Sequence, residues 1–84
     1  MSTPLRTERR KFITFREVYP GDWRVINNRS GDQLGEIGYY AEWRQFVMYA
    51  AEFTFWSHDC LRDVADFTQQ LNRERTAGRQ EALL

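Results

Sequence analysis

The stretch that decides the fold runs from Trp43 to Asn72: WRQFVMYAAEFTFW (43–56), followed without interruption by SHDCLRDVADFTQQLN (57–72). In the second half Cys60, Leu61, Val64, Ala65, Phe67, Thr68 and Leu71 recur at spacings of three and four, which lays them along one arc of an α-helix. That arc is the expected buried face. Asp59, Arg62, Asp63, Asp66 and Arg73 fall on the opposite, solvated side, where Arg62 and Asp66 have the i, i+4 spacing of a weak ion pair. Ser57 offers a hydroxyl to the first free backbone N–H groups, and Asp59 adds negative charge at the positive end of the helix dipole. Beyond Asn72 the apolar period fades and Gly78 interrupts. The spacing therefore predicts a helix over 57–73 and a tail over 74–84 that extends it by a turn or two before fraying.

The first half alternates instead. Trp43, Gln45, Val47 and Tyr49 share one face of a strand over 43–50, and Arg44, Phe46 and Met48 share the other. Ala50-Ala51-Glu52 turns the chain, and 53–56 reads as a short fifth strand entering the helix. Upstream, KFITFREV (11–18) puts Ile13, Phe15 and Glu17 opposite Phe12, Thr14 and Arg16, a strand with one face covered. Tyr19-Pro20-Gly21-Asp22 is turn chemistry, Trp23 to Asn27 a second strand, and 27–32 a cluster of turn formers. A third strand over 33–40 contains Gly35 and Gly38, which permit a bulge or the close approach of another backbone. All connections are short, so consecutive strands pair as a meander. The expected fold is α+β, a four- to five-stranded antiparallel β-meander over 11–56 with one C-terminal helix packed on one face.

Eighty-four residues make a single domain with a thin core. Three Trp, four Tyr and six Phe are more than such an interior holds, so some aromatic rings must lie near the surface. The twelve basic and twelve acidic residues balance overall but not locally. A basic N-terminal segment, MSTPLRTERR, has no periodicity and reads as a mobile arm over 1–10, while the body from Glu17 to Asp66 is acidic. The single cysteine excludes an intramolecular disulfide and points to a reducing compartment, the cytoplasm. No apolar run approaches the length of a membrane span, and no leader-like segment is expected.

His58, Asp59, Cys60 and Asp63 are the only residues with metal-ligand chemistry close together, but a structural site draws about four ligands from separated pairs. They read as an ordinary first helical turn, with Cys60 inward as a small apolar group, and no metal or cofactor is expected. Asp59, Asp63 and Asp66 lie on the solvated face, without the burial that separates the pKa values of a catalytic carboxylate pair. No nucleophile elbow, P-loop or dinucleotide fingerprint is present, and no enzymatic activity or catalytic residue is expected.

The strand over 43–50 is apolar on both faces, whereas a single helix covers only one face of a sheet. One set of side chains is therefore expected to be open, as a docking surface for a protein partner, either a host protein or a second copy. Trp43, Arg44, Phe46, Met48 and Tyr49 are the expected anchors, rimmed by Arg44 and Glu42. The alternative is a nucleic-acid binder that uses Arg6, Arg9, Arg10 and Lys11 on phosphates and the same aromatic rings on bases.

From Trp23 onward the chain resembles small uncharacterised proteins of bacteriophage and prophage genomes. The likeness rests on Trp23-x-Val25-x-Asn27, Leu34-Gly35-x-Ile37, Trp43-Arg44-Gln45-Phe46-Val47 and Phe55-x-Ser57-x-x-Cys60-Leu61-x-x-Val64-x-x-Phe67-x-x-x-Leu71-Asn72. It spans about fifty residues, omits the basic arm, and brings no catalytic residues with it. What the resemblance implies is context: a cytoplasmic phage accessory protein, of a kind that acts by occupying a surface of a host defence or regulatory protein.

Overall fold

The computed structural model describes residues 4–83. Five strands, β1 (Thr7–Arg9), β2 (Ile13–Tyr19), β3 (Asp22–Asn27), β4 (Gln33–Tyr40) and β5 (Gln45–Ala50), are followed by one helix, α1 (His58–Leu83). The strands lie in the order β1-β2-β3-β4-β5, every neighbour antiparallel. The expected α+β meander with one C-terminal helix is thus the fold.

The alternation in β2 and β3 sets the core. Ile13 and Phe15 from β2, Trp23 and Val25 from β3 and Ile37 from β4 point to one face and are buried. Val64, Phe67 and Leu71 of α1 close over them. Phe67 is the keystone: its ring stacks on Phe15 at 4.3 Å and 13°, and meets Trp23 edge-on at 4.8 Å and 80°. Aromatic pairs in these geometries contribute about 0.5–1.5 kcal/mol each beyond the area they bury. Ser57 caps the helix as its position suggests, its Oγ accepting the Cys60 N–H at 3.2 Å. At the sheet edge the Phe46 N–H donates to Asn72 Oδ1 at 2.7 Å, so a helix side chain satisfies an amide that a bare edge would leave open.

Several boundaries differ from those the sequence suggests. Within the segment expected as a mobile arm over 1–10, Thr7–Arg9 pairs with β2 through Thr7↔Arg16, Glu8↔Phe15 and Arg9↔Thr14. Tertiary contacts accompany this pairing: Arg6 reaches the helix, its Nη1 2.8 Å from Glu74 Oε2, and its backbone N–H donates to Glu17 Oε1 at 3.0 Å. The fifth strand is therefore β1, and 53–56 is irregular. The ladder ends where Ala51 N–H donates to the Leu34 carbonyl at 2.9 Å, and Phe53, with φ +59°, turns the chain out of the extended region. Trp43 and Arg44 precede β5 rather than belong to it; they sit in a turn closed by Trp43 N–H to the Tyr40 carbonyl at 3.2 Å.

The helix continues to Leu83, ten residues past Arg73. Gly78 costs a helix only about 1 kcal/mol, and its neighbours are mostly good helix formers. Glu74 on Arg6 and Arg75, 3.7 Å above the Tyr39 ring, also tie this part to the sheet. Leu61, on the expected buried arc, is 55% exposed because it lies with exposed Ala65 on the side of the arc turned away from the core, about 80° around the helix from Leu71. Arg62 contacts the His58 ring rather than forming the expected pair with Asp66.

Candidate functional site on the uncovered sheet face

In an antiparallel sheet, directly opposed residues project to the same side. The register therefore lays out the face away from the helix. Thr7, Arg16, Arg24, Glu36 and Tyr49 form one row across all five strands. Arg9, Thr14 and Ile26 form a second, and the pairs Gly38↔Val47 and Tyr40↔Gln45 extend the face at its β4–β5 side. The result has two halves, arginines over β1–β3 and apolar and aromatic groups over β4–β5.

The aromatic half is built by the β4–β5 turn. Arg44, with φ +53°, takes the left-handed conformation that closes the turn and leaves Trp43 65% exposed. The Trp43 ring meets Tyr40 edge-on at 5.3 Å and 89°. The Tyr40 hydroxyl donates to Glu42 Oε2 at 2.9 Å, and holding that proton against a carboxylate raises the Tyr40 pKa above the ordinary phenol value. Tyr49, 52% exposed, and half-buried Val47 complete the patch.

In the basic half, Arg24 is half-buried between Asp22, 3.1 Å away, and Glu36, 3.7 Å away. Arg16 stands directly opposite Arg24, a like-charged pairing that weakens a sheet, and Arg9 is diagonal to Arg16. Among the described residues neither Arg9 nor Arg16 has a carboxylate in ion-pair range. Guanidinium groups held this way match carboxylates or phosphates arriving from outside.

The residues singled out from sequence are divided by this geometry. Trp43 and Tyr49 lie on the uncovered side and Arg44 is exposed in the turn beside them. Phe46 and Met48 do not join them. They sit opposite Tyr39 and Ile37 and pack against the core under the helix, Phe46 edge-on to Tyr39 at 5.5 Å.

The basic segment divides by the same period of two. Arg6 pairs with Glu8 and Glu74, both at 2.8 Å, and its guanidinium lies 5.5 Å from the Trp23 ring centre. Arg10 lies 3.8 Å from Glu8 and 5.8 Å from the ring centres of Phe15 and Phe67. Lys11 covers the Phe12 ring at 5.2 Å. These cations roof aromatic side chains, and of the four only Arg9 reaches the uncovered face. The Arg6 guanidinium holds the Glu74 carboxyl below the usual carboxylate range, and the two carboxylates in turn hold the Arg6 proton more tightly.

Arg16, Arg24 and Tyr40 are site residues that sequence reasoning did not select, whereas Val47 belongs to the one of the two alternative faces, with Trp43 and Tyr49, that is open. Their signal was present as alternation within each strand, but only cross-strand register brings Arg16 level with Arg24 and Tyr49. Among the described residues no three His, Cys, Asp or Glu side chains gather as a metal site, and no helix is long and apolar enough to cross a membrane. Comparison with protein-family models, curated proteins and solved structures finds no match.

Proposed function

We propose that this protein is a non-enzymatic interaction module whose uncovered sheet face docks on a protein partner and blocks it sterically. The observation that carries the reading is the pairing on one face of an exposed aromatic patch, Tyr40, Trp43 and Tyr49 with Val47, with the unpaired guanidinium groups of Arg9 and Arg16. Trp, Tyr and Arg are the side chains that dominate interface energetics, and a rigid sheet presents them with little ordering to be done on binding. The partner surface that fits is apolar with flanking carboxylates. The phage-type context implied by the sequence resemblance makes a host defence or regulatory protein in the cytoplasm the natural candidate.

A second reading is single-stranded nucleic acid, favoured by Arg16 facing Arg24 beside stackable rings. Phosphate binding weakens steeply with salt, whereas an apolar contact persists. The test is affinity capture from host lysate, with and without nuclease treatment, at low and high salt, with wild type, Tyr49→Glu and Arg16→Glu. Retention of one protein at high salt by wild type, and its loss with Tyr49→Glu, supports the reading. Capture that disappears with nuclease or salt and depends on Arg16 alone transfers the function to nucleic acid.

A further inference from the structure

The loop between β5 and α1 carries the most exposed apolar side chains among the described residues. Phe53 is 95% exposed and Phe55 94%, so folding hides almost nothing of either ring. This is not a slack segment. The Thr54 hydroxyl donates to the Ala51 carbonyl at 2.8 Å, and the Trp56 indole N–H donates to that same hydroxyl at 2.9 Å. Phe53 itself is held at φ +59°, a backbone region that bulky side chains resist. The chain thus fastens the loop and tolerates strain in order to project two rings into water.

Phe55 stands on the rim of an open groove of about 830 Å³, with Phe12, Leu34, Trp56 and Cys60 among its apolar walls, and Phe53 lies two residues before it in the same loop. Its charged walls have both signs, Lys11 and Arg29 on one hand and Asp59 on the other. Knob, hole and complementary charges therefore occur within one patch, the requirement for a surface that pairs with its own copy about a two-fold axis.

We infer that the protein forms a symmetric homodimer through this patch, Phe53 and Phe55 of each copy entering the groove of the other. The area agrees. At about 200 Å² per aromatic side chain the two rings offer roughly 400 Å². Phe12, 44% exposed, and Leu61, 55% exposed and one residue beyond Cys60, raise the total. Roughly 600 Å² per copy gives about 1,200 Å² for the pair, the lower bound for a stable specific interface. The uncovered sheet face is not used, so the dimer would present two docking faces, and its existence does not depend on what they bind.

The decisive measurement is molar mass by light scattering after size exclusion, over a dilution series up to millimolar protein, for wild type, Phe55→Ser and Phe53→Gly. Wild type is expected at twice 10.1 kDa, dissociating on dilution, and both variants at 10.1 kDa. Because the two rings are almost fully exposed, both variants fold. Phe53→Gly should in addition raise the urea midpoint of the monomer, separating lost association from lost stability. A Lys11→Asp variant should weaken the dimer at least tenfold, and Asp59→Lys in the same chain should restore it. A wild type that stays at 10.1 kDa at millimolar concentration overturns the inference and leaves the patch to a foreign partner. A dimer that survives both Phe substitutions overturns it equally, by placing the contact elsewhere.

Discussion

Gly35→Ala and Gly38→Ala add the same methyl group three residues apart in β4, and they should move stability in opposite directions. A Cβ at position 35 would collide with the Met48 Cε and the Tyr49 carbonyl oxygen and lie 3.2 Å from Ala50 Cα. The Met48 terminus can swing aside, but Tyr49 O and Ala50 Cα are main chain of β5. They are fixed by the pairs Gly35↔Ala50 and Glu36↔Tyr49, so relief requires opening the ladder. Overpacking of this kind costs about 1–3 kcal/mol. Against it stands a gain of about 0.4–1 kcal/mol from the reduced freedom of the unfolded chain. The collision wins at Gly35, with a net loss of about 1–2 kcal/mol. At Gly38 nothing lies within 4 Å and the backbone is not left-handed, so only the gain remains. With a urea dependence of roughly 1 kcal/mol/M for a small domain, the midpoint falls by about 1–2 M in Gly35→Ala and rises by up to about 1 M in Gly38→Ala. Equilibrium urea unfolding followed by far-ultraviolet circular dichroism at low protein concentration reads both. A Gly35→Ala protein as stable as wild type, with unchanged denaturant dependence, would refute the close approach of β5 to β4.

The helix provides a second contrast. Leu71→Ala, at a buried site, should lose about 2–4 kcal/mol, and Leu61→Ala less than about 1 kcal/mol in the monomer; equal losses by urea titration would contradict the placement of α1. Phe46→Glu should unfold or strongly destabilise the domain, while Tyr49→Glu should leave its thermal midpoint within a few degrees, because only the first introduces a charge beneath the helix. Glu74→Gln should cost about 0.5–1 kcal/mol at neutral pH, the scale of a partly exposed ion pair. The folded-state pKa of Glu74 is lowered, so its contribution is complete above the unfolded carboxylate value and is lost as pH falls through the folded one. Wild type and variant should therefore converge in stability in acid, and a difference that persists at low pH would assign the effect to packing. Ser57→Ala should lose about 1 kcal/mol through the helix cap, visible in the same titrations.

The elements themselves were legible because each rests on local chemistry. Alternation in 11–18, 23–27 and 33–40, turn residues at 19–22 and 27–32, and the three-and-four spacing after Ser57 reflect backbone geometry that one chain segment imposes on itself. What the sequence by itself determined was the α+β meander, the contribution of Val64, Phe67 and Leu71 of the helix to the core, and the presence of more aromatic rings than the core can hold. Tertiary structure alone decided the rest. Residues 7–9 have no strand-forming pattern, and their pairing with β2 comes with contacts that no local pattern shows, among them Arg6 on Glu74, sixty-eight residues away. Leu61 and Leu71 both belong to the apolar arc but lie about 80° apart around the helix, and only the rotation of α1 against the sheet decides which side of the arc is buried. Phe46 and Tyr49 are aromatic residues three apart in one strand, and which of them faces outward is fixed by the side of the sheet on which the helix lands. A face, unlike a strand, is a relation between distant segments, and no local pattern specifies it.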